Sequence, residues 1–292
     1  MADEITKEFA ANLLPKRPQD SHKGIFGKVL NISGSLNYQG AAYLSSIAAL
    51  KTGAGYITLA SIQNVIDNIA AKTPDITFLP LRDSYNQCIA SDAFSELKDF
   101  IKSYTVLSLG SGLSDRPAAV AFVDEALKYL NETAMPVIID ADGLNAISNL
   151  SLTKLPPDSV ITPHPKELSR LIDVPVEEIQ NDRVQYAKFA AQKFGTTVVL
   201  KGHNTVIASG DEVFINKTGN SALAKAGSGD VLTGMISGFA AQGLSLKNAA
   251  ILGVFLHGLS GELASKELTE YGVLASDVLN GIPAAIKTLL GI

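Results

Sequence analysis

Cysteine is nearly absent from this 292-residue chain: Cys88 stands alone. A single thiol excludes an intramolecular disulfide framework and any cysteine-built metal site, so Cys88 is read as a small filler residue. Positive charge is not in excess. Twenty-four Lys and Arg against 29 Asp and Glu leave a net charge of −5. No long basic run occurs, which argues against nucleic acid or an anionic membrane as partner. The opening Met1-Ala2-Asp3-Glu4-Ile5-Thr6-Lys7 lacks a basic-then-apolar leader pattern. The most apolar region, 248–263, includes Asn248, His257 and Glu262 and is too short to span a bilayer. A Gly-x4-Gly-Lys-Ser/Thr sequence is missing, and so is a Gly-x-Gly-x-x-Gly after the first strand-like segment, so P-loop and simple dinucleotide-binding readings are poor. Linkers, low-complexity tracts and internal repeats are missing too. One domain in a cytoplasmic protein is expected.

What is present is enough apolar material for a sizeable core: 46% hydrophobic against 18% charged residues. Strand-like runs at 28–34, 56–60, 76–80, 106–110, 137–140, 159–162 and 196–201 alternate with helix-period segments. Expected helices cover 40–52, 116–130, a start at 142, 165–171, 177–194, 230–241, 246–265 and 275–290. Segments 205–208 and 212–217, joined at Ser209-Gly210-Asp211, read as an antiparallel pair. Strand–helix alternation predicts a mostly parallel, three-layer α/β sheet with that hairpin at one edge. In such sheets ligands bind beyond the carboxyl ends of the strands, where Gly34, 110–112, Asp140, His164, Lys201 and Asp230 collect.

The most informative stretch is Ala226-Gly227-Ser228-Gly229-Asp230, followed at once by an apolar, helix-period run. Unpaired N–H groups and a partial positive charge make a helix start an anion site, and glycines let the backbone approach the ligand. A carboxylate there repels phosphate. Asp230 is therefore either a favourable first-turn acid or a base that takes a proton from a hydroxyl meeting a phosphoryl group. Asp140 ends a buried strand and is given a site role, while Asp142 is expected to cap the next helix. His164 and Glu167, three apart at a strand-to-helix turn, either face one cleft or stiffen the turn. Lys201 leaves a buried strand toward the cleft and is expected to meet an anion. Asn216, Gly219 and Asn220 either line the same pocket or make turns. A catalytically silent phosphate sensor would not need Asp230, which favours an enzyme.

The ordered set His22-Lys23-Gly24-Ile25-Phe26-Gly27-Lys28, Gly40-Ala41-Ala42, Gly110-Ser111-Gly112, Asp140-Ala141-Asp142-Gly143-Leu144-Asn145, Thr162-Pro163-His164-Pro165-Lys166-Glu167, Lys201-Gly202 and the 226–230 loop resembles the ADP/ATP-dependent NAD(P)H-hydrate dehydratases of the ribokinase-like superfamily. The resemblance covers about residues 22–290. Kinases of that superfamily usually have Asn where His164 stands. Many dehydratases have Pro-Gly where Ser221-Ala222 follow Asn220. The resemblance implies a ribokinase-like three-layer fold, one domain over 1–292 with 1–21 as an N-terminal extension, and ADP-driven dehydration of the S epimers of hydrated NADH and NADPH (NADHX and NADPHX). Asp230 would be catalytic. Ala42, Gly112, His164 and Asp230 would hold the hydrated cofactor. Lys201, Gly202, His203, Asn204, Thr205, Gly227, Ser228 and Gly229 would bind ADP or ATP. Glu167 would act on Mg²⁺ through water. It further implies a homotetramer served by a separate epimerase, and the alternative is an ATP-using sugar or vitamin kinase. Helices 40–51 and 246–265, apolar over much of their circumference, are expected to bury that surplus against a second copy.

Overall fold

The computed structural model describes residues 2–85 and 87–292; Met1, read above with the N-terminal segment, lies outside them. Its strands are β1 (Asp3–Glu4), β2 (Lys28–Ile32), β3 (Tyr56–Ile62), β4 (Thr77–Leu81), β5 (Val106–Leu109), β6 (Val137–Ile139), β7 (Ser159–Ile161), β8 (Thr197–Leu200), β9 (Val206–Ser209) and β10 (Glu212–Ile215). They form one sheet in the order β1-β10-β9-β8-β7-β6-β5-β2-β3-β4. Pairing is parallel from β4 through β8, and antiparallel at β8–β9 and β9–β10. The expected hairpin is in place. Beyond it, β1 adds two residues parallel to β10, a pairing too short to leave a periodic signal. The central strands are buried on both faces, as β5 and β6 show throughout, which is why they read as unbroken apolar runs.

Several helices differ from expectation. The segment 177–194 is two helices, Val176–Asn181 and Arg183–Phe194, because Asp182 leaves helical geometry and its carboxylate accepts Gln185 N–H at 2.9 Å. The helix from Leu246 runs on to Gly272 across a kink at Thr269. Helices Gln63–Ala70 and Phe94–Ile101 were not foreseen, although Val65, Ile66 and Ile69, and Phe94, Leu97 and Ile101, bury one face of each at helical spacing. The helix expected from 230 begins at Ser228, and Ser228–Ala241 is buried over most of its circumference because it packs inside. A Cβ on Gly234 would lie 2.1 Å from the Ser45 carbonyl, and one on Gly238 would lie 2.0 Å from Thr52 Oγ1. These two glycines let helix Ser228–Ala241 approach helix Gln39–Lys51 at backbone distance. Helix Leu246–Gly272 buries residues around its circumference from Leu246 to Gly261. Most of the apolar surface expected to face a second copy is thus packed within the chain, with Tyr43, Leu44, Leu50, Leu259 and Leu263 left half-buried.

The order of strands reverses between β2 and β5, the point where open α/β sheets place ligands. Gly34 N–H donates to the Ser111 carbonyl there at 2.9 Å. Gly110 has φ +128, and a Cβ on it would lie 2.0 Å from the Asp140 carbonyl. Only glycine lets the ends of β5 and β6 close in this way.

Candidate active site

From the carboxyl ends of β6, β7 and β8 to the start of helix Ser228–Ala241 runs a cavity of about 670 Å³. Asp140, His164, residues 201–205, Asn216, 218–221 and 223–230 line it, with Val254, His257 and Gly258 of the long helix closing one side. The structure therefore gathers His164, Lys201, Gly202, His203, Asn204, Thr205, Gly227, Ser228, Gly229 and Asp230 around one space. It does not bring Ala42, Gly112 or Glu167 to that lining. Ala42 is fully buried, packed beside Gly34, and Gly112 lies against Tyr38 and Ala41. A side-chain contact from Ala42 to a ligand is unavailable in this conformation because nothing of it reaches the surface.

The anion loop forms as its glycines require. Gly227 holds φ +91 as the residue before the helix, and a Cβ on it would meet Leu44 Cδ1 at 2.8 Å and Ala275 Cβ at 2.9 Å. Gly229 is different: an added Cβ would meet Lys201 Nζ at 3.5 Å and Asp140 Oδ2 at 3.7 Å, ordinary contacts. Gly229 thus lies directly over an ion pair. Lys201 Nζ donates to Asp140 Oδ1 at 2.7 Å and stands 3.8 Å from Glu167 Oε2. Thr233 Oγ1 donates to Asp140 Oδ2 at 2.8 Å. Asp140 is buried, and only 19% of the Lys201 side chain is exposed. Lys201 was expected to reach outward to an anion. Instead its ammonium is bound by carboxylates beneath the loop, because a lysine this buried needs a counter-charge. Burial works against its charge, but Asp140, Glu167 and Asp230 outweigh that and its pKa lies above the ordinary value.

Asp230, in the first helical turn, borders the cavity. Burial, then the negative charge of Asp140, pushes its carboxyl up to about 6. That makes it a markedly better base than an ordinary aspartate near ~3.9. Asp142 is a correction. Ala141, not Asp142, is the residue before helix Asp142–Asn149. The Asp142 carboxylate instead accepts Ser114 N–H at 2.7 Å and the Asn145 amide at 3.1 Å, tying β5's exit loop to the helix after β6.

Both readings of His164 hold together. Its Nδ1 accepts the N–H groups of Lys166 and Glu167 at 3.1 and 3.2 Å, while Glu167 Oε2 accepts His164 N–H at 2.7 Å. This reciprocal cap stiffens the turn, yet the ring still borders the cavity. Burial first, then Lys201 and Arg170, pull its pKa down to about 4. The imidazole is neutral at pH 7, and with Nδ1 accepting, Nε2 carries the proton as a donor. Burial raises the Glu167 pKa. One Glu167 oxygen is taken by the cap.

Asn216, Gly219 and Asn220 do both things expected of them. They line the cavity and make turns that the long helix pins in place. Thr218 Oγ1 donates to the Phe255 carbonyl at 2.8 Å, Gly219 N–H to Glu262 Oε1 at 2.7 Å, and the Asn220 amide to Ser265 Oγ at 2.8 Å. The Asn220 side chain caps the turn Ser221–Leu223, accepting Ala222 N–H at 3.1 Å. Sequence reasoning did not find Thr233 or His257. His257, one of four histidines, is buried on the long helix with Nε2 3.1 Å from Ser228 Oγ, and burial pulls its pKa to about 4. A polar residue in an apolar helix was the available signal for both.

Comparison with known proteins decides the family. The model for NAD(P)H-hydrate dehydratase matches residues 29–284. The chain belongs to the NAD(P)H-hydrate dehydratase family. It is 39% identical over 98% of its length to the bifunctional NAD(P)H-hydrate repair enzyme Nnr of Moorella thermoacetica, but spans only 54% of that protein. It is 36% identical to the ADP-dependent (S)-NAD(P)H-hydrate dehydratase of Bacillus subtilis, covering 97% of each chain. The crystal structure of the Bacillus subtilis ADP/ATP-dependent dehydratase, co-crystallized with ATP/Mg²⁺, superposes with a TM-score of 0.85 at 33% identity over 99% of both chains. A hydroxyethylthiazole kinase from Pyrococcus horikoshii shares the fold, with a TM-score of 0.64 at 16% identity. The ribokinase-like α/β architecture expected from the motifs is therefore the one present.

Proposed function

We propose that this NAD(P)H-hydrate dehydratase family member restores hydrated NADH and NADPH, taking the S epimers of NADHX and NADPHX and consuming ADP. The hydroxyl on carbon 6 of the nicotinamide ring attacks the terminal phosphoryl group and AMP departs. The C6–O bond then breaks and inorganic phosphate leaves, while a proton is lost from C5 and the electron pair of that C–H bond forms the C5=C6 double bond of the dihydropyridine. Asp230 accepts the hydroxyl proton, and N–H groups of 227–229 steady the transferring phosphoryl group. Residues 201–205 hold the nucleotide. His164 donates from Nε2 toward the hydrated nicotinamide.

The observation that carries this reading is Asp230 itself: a carboxyl in the first turn of a glycine-rich helix start, bordering the cavity near the Lys201–Asp140 ion pair and pushed up to about 6 by burial and the charge of Asp140. A plain phosphate-binding loop gains nothing from such a base.

Among the described residues no group of three or more His, Cys, Asp or Glu is arranged to hold a metal ion. Mg²⁺ commonly keeps several waters and is held largely by nucleotide phosphates. Glu167, buried behind His164 with its Oε1 3.5 Å from His164 Nε2, would act on such a water from outside the cavity lining, and the ion would supply charge neutralisation on the phosphates. Among the described residues no helix is long and apolar enough to cross a membrane. A cytoplasmic location, a homotetramer and a separate epimerase supplying the S form belong to this proposal through the family resemblance.

The test is recovery of the reduced-nicotinamide absorbance from hydrated cofactor with ADP or ATP. Asp230→Asn should keep nucleotide binding and lower turnover by about 10²-fold or more. Phosphorylation of a sugar or vitamin without absorbance recovery would replace this reading with that of a kinase.

A further inference from the structure

Residues 202–204 are a thin wall. On one side lies the cavity described above; on the other lies a second cavity of about 530 Å³ that shares only Gly202, His203 and Asn204 with the first. The wall is conformationally loose by composition, with Gly202 at φ +145 and Asn204 at φ +54. Space on both faces deprives it of packing, so its position must come from hydrogen bonds.

Within the wall Thr205 Oγ1 donates to the Gly202 carbonyl at 2.9 Å, and from the outer face one side chain fixes the backbone that leads into it. Arg183 opens helix Arg183–Phe194, just after the break at Asp182. Its Nη2 donates to the carbonyls of Leu200 at 2.9 Å and Lys201 at 3.2 Å, and its Nη1 donates to Gln180 Oε1 at 3.1 Å. The guanidinium also lies flat against Gly202: a Cβ there would sit 3.0 Å from both Nη1 and Nη2. Around it, Asp182 is occupied as a helix cap, and Lys217 and His203 line the same outer cavity. Burial lowers the guanidinium pKa, but an arginine keeps its charge at any working pH.

We propose that Arg183 is a positioning residue for the nucleotide: its Nη2 bridges the carbonyls of Leu200 and Lys201 while Nη1 is held by Gln180, and the guanidinium so sets where residues 201–205 meet the ligand. This rests on reading 201–205 as the nucleotide loop. The break between helices Val176–Asn181 and Arg183–Phe194 is what aims the fork at these carbonyls, and a glycine at 202 is what lets it lie there. Lysine has no second nitrogen to keep the Gln180 bond and no plane to lay against Gly202.

The test compares Arg183→Met, which keeps the stem and loses the fork, with Arg183→Lys. Binding of a fluorescent ADP analogue should weaken by about tenfold for Arg183→Met, the scale of roughly one net charge-assisted hydrogen bond. For Arg183→Lys the loss should be a few-fold. Turnover at saturating ADP and the KM for hydrated cofactor should stay within about twofold of wild type. Amide exchange of 201–205 should accelerate in Arg183→Met while exchange in β5 and β6 is unchanged. Wild-type nucleotide affinity in Arg183→Met would overturn the proposal, as would an equal fall in turnover and in affinity for both ligands. If wild type itself bound no ADP, the dehydratase reading would fail, and the amide exchange alone would still confirm or refute the clamp.

Discussion

Asp140→Asn removes one charge from the centre of the site while keeping its shape. The asparagine oxygen can still accept from Lys201 Nζ, now 2.7 Å from Oδ1, and Thr233 Oγ1 can turn to accept from the amide. What is lost is the compensation for a buried ammonium. Unit charges ~4 Å apart interact by about 4 kcal/mol at an effective dielectric near 20, and breaking a buried pair costs ~3–5 kcal/mol. Lys201 keeps Glu167 at 3.8 Å and is 19% exposed, which favours the lower end, about 3 kcal/mol. For a chain of this size that is a fall in Tm of roughly 6–12 °C. Lys201 has a raised folded pKa, so its contribution is fully present below the ordinary lysine value and disappears only as pH climbs past the folded one. The Lys201 part of the deficit is therefore the same at pH 6.5 as at pH 8.5. The second consequence is catalytic. After burial, the charge of Asp140 is the next cause of Asp230's elevation to about 6, so the acid limb of kcat/KM should move toward lower pH in the variant. Thermal denaturation and a pH–rate profile of absorbance recovery measure both. An unchanged Tm together with an unmoved limb would refute the idea that Asp140 holds Lys201 and tunes Asp230.

In wild type, kcat/KM should rise with pH through about 6 as Asp230 ionises. Asp230's contribution to stability should fall across the same interval, because between its ordinary value and about 6 the folded state binds the extra proton; a limb near 4 would show an ordinary aspartate. Gly227→Ala should lower Tm, since a left-handed backbone costs about 1–2 kcal/mol outside glycine and the new methyl meets Leu44 and Ala275. Gly229→Ala should leave Tm unchanged and weaken nucleotide binding, its methyl lying over the Lys201–Asp140 pair; equal Tm losses in the two variants would contradict the assignment of roles. His164→Ala should cost about 1 kcal/mol from the lost cap and weaken hydrated-cofactor binding more than ADP binding, which separate titrations can compare.

The parallel sheet was legible because buried strands such as Val137–Ile139 and Val106–Leu109 are apolar at every position, a pattern set by local composition. Glycine punctuation at Gly110 and Gly227 was legible for the same reason: backbone geometry demands the residue type wherever the chain goes. The position of Asp230 at a helix start, and the presence of His164, Lys201 and Asp140 at strand ends, could likewise be read along the chain. What each side chain does there could not. Lys201 pairs with Asp140 beneath the loop, Asp142 joins Ser114 to Asn145 instead of capping its helix, and Thr233 and Arg183 gain their meaning from partners 93 and 17 or 18 residues away. Nor did the apolar circumference of helix Gln39–Lys51 say that helix Ser228–Ala241 was a partner for it; Gly234 and Gly238 show that only once the two backbones are seen to meet. The sequence by itself determined the elements, the turns and the chemical types at the strand ends, because these follow from short-range sterics and from which side chains tolerate burial. The tertiary structure alone decided the charge pairing and the raised basicity of Asp230, because electrostatic energies depend on distances and burial that no stretch of sequence contains.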